Sequence, residues 1–126
     1  MIDHVSIAVA DLSRAIPFYE TLLAPLGHTK LREGDTAAGF GKTYPEFWLN
    51  LRESETAPSG AHVALRAGAM AAVDAFYAAA LDNGGSCDGP PGFRDIYGPR
   101  YYAAFIRDPD GNRIEAVTFV EEKGQG

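Results

Sequence analysis

Asp3-His4-Val5-Ser6-Ile7-Ala8-Val9 opens the chain, and its His-Val pair returns as His62-Val63. The echo is not isolated: Phe18-Tyr19 returns as Phe76-Tyr77, Leu23 as Leu81 and Gly27 as Gly85, each 58 residues later. One shared offset, close to half of the 126 residues, indicates two copies of one supersecondary unit. Each copy is too small to bury its own apolar face, so the two are expected to pack together.

Within each copy the apolar pattern passes from period two to period 3.6, the signature of a strand followed by an amphipathic helix. Residues 2–9 read as the first strand. Asp11 or Ser13 can cap the helix that follows, whose apolar side carries Ala15, Tyr19, Leu22 and Leu26. Pro17 fits best if that helix begins near Ser13, where a missing N–H costs least, and Gly27 ends it. Two or three short strands are expected over residues 29–51, divided at Glu33-Gly34-Asp35 and at Thr43-Tyr44-Pro45, and residues 54–60 link the copies. The second copy repeats the order: a strand over 61–67, a helix over 69–83, and a hairpin of 101–107 with 113–119 around Asp108-Pro109-Asp110-Gly111. The expected class is α+β, two paired β-α-β-β-β modules forming an open, cup-shaped mixed sheet. It is read as a single domain over residues 1–120, with module one at about 1–53, module two at about 61–120 and a C-terminal tail at 121–126.

Bulk properties exclude several classes of function. A formal charge of -6 leaves no basic stripe to neutralise phosphates, so nucleic acid is not an expected partner. Cys87 is the only cysteine, which rules out an internal disulfide and any Cys-rich zinc site, and no cation adjoins it in sequence to stabilise a thiolate. Met1-Ile2-Asp3-His4 is not a basic region followed by an apolar run, and no stretch reaches membrane-spanning length; a cytoplasmic location without membrane contact is expected. Gly41-Lys42-Thr43 is no phosphate loop, because Thr36 stands where the first glycine is required and Tyr44-Pro45 follows in place of a helix.

Alternation within the strands then selects the side chains that share a face. Val5, Ile7 and Val9 oppose His4, Ser6 and Ala8; Val63 and Leu65 oppose His62, Ala64 and Arg66; Ile114 and Ala116 oppose Arg113, Glu115 and Val117. Two imidazoles and a carboxylate therefore fall opposite the helix-packing face, enough to hold iron, manganese, zinc or nickel as a divalent ion with open positions for substrate. The alternative is that His4, His62 and Glu115 pair with one another as a satisfied polar cluster.

The ordered set of Asp3 to Val9, the Phe18-Tyr19 helix, Ala61-His62-Val63-Ala64 and Asp108-Pro109-Asp110-Gly111-Asn112-Arg113-Ile114-Glu115 resembles the vicinal-oxygen-chelate superfamily of glyoxalases, bleomycin-resistance proteins and extradiol dioxygenases. The resemblance covers nearly the whole chain. It implies metal ligands at His4, His62 and Glu115, and a symmetric homodimer in which His4 of one subunit can complete a site holding His62 and Glu115 of the other. It also implies an enzyme acting on a small substrate that chelates the ion through two oxygens, as a lyase, dioxygenase or thiol transferase. Glyoxalases of the lactoylglutathione-lyase type carry a further glutamate near the position of Trp48, and its lack here argues against that reaction, which needs a base beside the metal. Ser6 and Glu46 are the candidate catalytic groups.

Other residues are expected to shape the cup. Trp48, Asn50, Phe105 and one of Tyr101 or Tyr102, with Tyr102 preferred, would wall it, Arg66 or Arg113 would meet a carboxylate or phosphonate of the substrate, and Arg94, on the segment that follows, is counted among the substrate-binding residues. Residues 87–100, rich in Gly and Pro, read as a loop over the cup, and His28 as a surface residue at a helix exit. The second functional class is a metal-free protein of the bleomycin-resistance type, sequestering a planar ligand against Trp48 and Tyr102.

Overall fold

A computed structural model of the protein describes residues 1–52 and 62–120; the expected linker at 54–60, Ala61 and the tail at 121–126 lie outside them. Module one runs β1 (Val5–Val9), α1 (Leu12–Leu23), β2 (Thr29–Glu33), β3 (Ala37–Gly41) and β4 (Phe47–Leu51). Module two runs β5 (His62–Arg66), α2 (Met70–Asp82), β6 (Ser86–Phe93), β7 (Tyr101–Arg107) and β8 (Arg113–Phe119). The strand orders β1-β4-β3-β2 and β5-β8-β7-β6 repeat one another. In each sheet the first strand lies parallel to the last and the other pairs are antiparallel, so both sheets are mixed and open. Among the described residues no ladder joins the two sheets, and β1 and β5 are both edges.

α1 starts at Leu12 because Asp11, in an extended conformation, accepts hydrogen bonds from the Ser13 backbone N–H at 3.0 Å and the Ser13 hydroxyl at 2.7 Å. Pro17 consequently sits in the second turn and not near the first, on the exposed side, where it withdraws one N–H from the helix. The chain leaves α1 through a 3-10 turn, Ala24–Leu26, and Gly27 (φ 90°) closes it with its N–H on the Ala24 carbonyl.

The buried face of α1, chiefly Phe18, Tyr19, Leu22 and Leu23, joins Phe40 and Leu49 from its own sheet and Phe76, Ile106 and Ile114 from module two in one contiguous core. Each such side chain contributes about 1.5–3 kcal/mol on burial, and the core spans both modules, as two half-sized units require. The hairpin turn after β7 is a second tie: Asn112 Nδ2 donates to the Ala8 carbonyl at 2.8 Å, and Asp110 Oδ1 accepts from the Ala10 N–H at 3.1 Å.

Two expectations are corrected. Residues 86–93 form the strand β6 and not a loop, with register shifts on either side of Gly89. β6 is an edge, and Pro90 and Pro91 fall in the register shift between Gly89 and Gly92, where neither has a ladder partner, so their missing N–H groups cost no ladder bond, and their Gly and Pro neighbours mimic a loop in the sequence. His28 is half-buried, with Nδ1 fully enclosed and without a hydrogen-bond partner among the described residues, in a cavity shared with Val5, Leu23, Phe40, Glu46, Phe47 and Leu65. Burial first, and then the Lys42 charge, push its pKa down. No helix among the described residues is long and apolar enough to cross a membrane.

Candidate functional site

Strand register decides which side chains share the open face of each sheet. β1 sets Ser6 beside Trp48 and Ala8 beside Asn50; β5 sets Ala64 beside Glu115 and Arg66 beside Val117. Ser6 and Ala64 are 58 residues apart, so Trp48 holds in module one the place that Glu115 holds in module two. Trp48 and Glu115 are separated by 67 residues, the nine extra falling between helix and last strand, and for that reason the simple offset does not pair them. The indole lies over Gly39, where a Cβ would come within 2.9 Å of it.

In module two the open face centres on Glu115, which is 2% exposed. Its Oε1 lies 2.9 Å from His62 Nε2, and its Oε2 accepts a hydrogen bond from the Tyr101 hydroxyl. Tyr101 is in register with Phe119, and its hydroxyl reaches Glu115 past the Ala103–Val117 rung, whose small side chains leave the path open. Burial first, and then the hydrogen bond to Glu115, push the Tyr101 pKa up to about 12, so the hydroxyl remains a donor at any ordinary pH. Phe105 is the register partner of Glu115, and its ring lies 6.0 Å from the His62 ring.

The arginines divide by their partners. Arg113, beside His62 in register, is committed with Arg107 to Asp88, at 3.2 and 3.5 Å. Arg66 lies over the Phe119 ring, 4.8 Å from its centroid, and Arg94 over the Phe105 ring at 5.2 Å.

His4 is not part of this cluster. It is exposed, with Nδ1 2.8 Å from Asp3 Oδ1, and the Tyr44 hydroxyl donates to the same oxygen at 2.9 Å. Among the described residues no group of three or more His, Cys, Asp or Glu is gathered as a metal site within the chain, so two of the three expected ligands meet and the third stands apart. Ser6, Trp48 and Asn50 line the open face of module one. Glu46 lines the His28 cavity, where its charge acts on that imidazole, and does not join Glu115.

Tyr102 is corrected: it faces the helices, its hydroxyl donating to Asp74 Oδ1 of α2 at 2.6 Å and its ring meeting Phe93. The period-two rule separates the neighbouring tyrosines, since Tyr101, Ala103 and Phe105 share one face and Tyr102 and Ala104 the other. What sequence reasoning missed was the bond from Tyr101 to Glu115, because only the β7–β8 register puts them within reach.

The family model of the glyoxalase/bleomycin resistance protein/dioxygenase superfamily matches residues 1–116. A glyoxalase/bleomycin resistance protein from Albidiferax ferrireducens T118 is 33% identical, with a TM-score of 0.82 over 94% of this chain and 98% of that one. The V278E glyoxalase I mutant from Zea mays is 27% identical, with a TM-score of 0.71 over 91% of this chain and 44% of that one. A genomically encoded fosfomycin resistance protein from Listeria monocytogenes shares the fold at 15% identity, with a TM-score of 0.70 over 98% of this chain and 96% of that one. The comparison with curated proteins finds no match. With its two β-α-β-β-β modules and the match over nearly its whole length, the chain belongs to the glyoxalase/bleomycin resistance protein/dioxygenase superfamily.

Proposed function

We propose that the protein is a metal-dependent enzyme acting on a small molecule that offers two adjacent oxygens, at a site built from His62 and Glu115 of one chain and His4 of a second. The observation that carries this reading is the placement of His62 Nε2 and Glu115 Oε1 2.9 Å apart on the open face. Two adjacent ligand atoms at bond lengths of about 2.1 Å around one ion lie about 3 Å apart, so the pair fits a divalent cation. An ion held there would supply Lewis acidity to the substrate oxygens. Tyr101 holds the second carboxylate oxygen of Glu115 and so fixes the direction of the first. His62 is at the start of the edge strand β5, and His4 directly precedes the edge strand β1. A two-fold dimer that apposes those edges is the assembly that unites the three ligands.

Trp48 in the place equivalent to Glu115 denies the site a fourth ligand and a second carboxylate, so hemithioacetal isomerisation of the lactoylglutathione-lyase kind is disfavoured. The same indole favours a second reading, in which the cup sequesters a planar ligand without metal. Metal content of the purified protein after repletion with iron, manganese, zinc or nickel separates them. One ion per chain, lost in His62→Ala, is the expected result; absence of stoichiometric metal in both proteins refutes the enzyme reading and leaves the binder.

A further inference from the structure

Arg94 is held more firmly than a surface arginine requires. Its backbone N–H donates to the Tyr101 carbonyl and its carbonyl accepts from the Tyr97 N–H, both at 2.9 Å. The guanidinium lies on the Phe105 ring, and Nη2 donates to the Pro90 carbonyl at 2.6 Å. Gly89 and Gly92 provide the room: a Cβ on either would come within 3.2 or 3.0 Å of a guanidinium nitrogen. That side-chain contact uses one of five N–H donors, and among the described residues no carboxylate is within ion-pair distance of Arg94. Phe105 beneath it is the register partner of Glu115, one strand spacing of about 5 Å away.

A cation pinned at backbone and head, stacked on an aromatic face and left with open donors is organised for an external anion, because the ordering cost is met before the ligand arrives. The planar fork suits the two oxygens of a carboxylate. We propose that Arg94 is the anion-recognition residue of the module-two cup, receiving the carboxylate of a small planar acid whose remaining part extends toward His62 and Glu115. This rests on the reading of that cup as the ligand site and adds a substrate class to it. Arg107 and Arg113 do not serve, since Asp88 already occupies both.

The test uses benzoate and its neutral counterpart benzamide as probes, titrated by calorimetry into wild type, Arg94→Gln and Arg94→Lys, with manganese binding measured on the same samples. Benzoate is expected to bind wild type more tightly than benzamide does. Arg94→Gln should weaken benzoate at least tenfold while leaving benzamide and manganese unchanged, and Arg94→Lys should fall between; benzamide binding shows that the variant cup is intact. Equal benzoate affinity in wild type and Arg94→Gln overturns the proposal, as does a wild type that fails to prefer benzoate, including one that binds neither probe. Arg94-dependent benzoate binding without manganese binding would refute the metal reading alone, and manganese binding without benzoate preference would refute the anion site alone.

Discussion

The hydroxyl of Tyr19 on α1 donates a 2.6 Å hydrogen bond to Asp108 Oδ2, the carboxylate that opens the turn between β7 and β8. Both residues are buried, and the bond crosses from one module to the other. Asp108 also accepts from the backbone N–H groups of Asp110 and Asn112 and from Asn112 Nδ2, so the turn and its anchor share one carboxylate.

Tyr19→Phe should therefore cost about 1–3 kcal/mol, the range for a buried hydrogen-bonding group left short of a partner, read as a lower urea midpoint at unchanged slope. Burial first, and then Asp108, raise the Tyr19 pKa well above 10.0. Because the folded pKa lies above the unfolded one, the contribution is complete below pH 10 and is lost as pH rises through the folded value. Unfolding measured from pH 8 upward should show that alkaline loss in wild type and a smaller one in Tyr19→Phe.

Asn112→Ala removes the donor to Ala8 and one donor to Asp108 together. A loss of about 1–3 kcal/mol is expected. The double variant with Tyr19→Phe should depart from additivity by at least about 0.5 kcal/mol, because both side chains address Asp108. A double-mutant cycle in urea measures it, and simple additivity would contradict the shared anchor.

Tyr101→Phe leaves Glu115 Oε2 without its donor. Under the proposed metal site the affinity for a divalent ion should fall about 10–100-fold, the usual effect of removing a group that orients a ligand, with His62 untouched. Titrating tyrosinate absorbance checks the same bond independently. Tyr101 and Tyr102 should both ionise near pH 12 in wild type, and Glu115→Gln should move only the Tyr101 transition toward 10.0.

Gly39→Ala places a Cβ 2.9 and 3.0 Å from atoms of the Trp48 ring and 3.0 Å from Pro45 Cβ. The indole must swing away, at a cost of about 1–3 kcal/mol for overpacking. Trp48 is the single tryptophan, so its emission should shift to the red in the variant. An unchanged spectrum would show that the ring does not lie on Gly39.

Much of the architecture was legible in the chain, for a physical reason: repeat offset, strand alternation and helix punctuation are local patterns, and the backbone obeys them locally. The 58-residue offset announced two modules, and the alternation of Val5, Ile7 and Val9 placed them against the core while Ser6 and Ala8 took the open face. Where the local signal was double-valued, the reading strayed. The prolines of β6 looked like a loop because composition does not reveal an edge strand with a register shift, and His28 looked exposed because Phe40, Glu46, Phe47 and Leu65, which enclose it, are distant in sequence.

By itself, then, the sequence determined two β-α-β-β-β units and the residue types His4, His62 and Glu115. Only the tertiary structure decided which of those groups meet. Register across β5, β8 and β7 brings His62, Glu115 and Tyr101 together, whereas His4 directly precedes β1 of the other sheet, and no ladder among the described residues connects the two sheets. Distances between strands depend on pairing and packing, which no local periodicity encodes. The same holds for Trp48 standing where Glu115 stands, an equivalence of register and not of sequence offset.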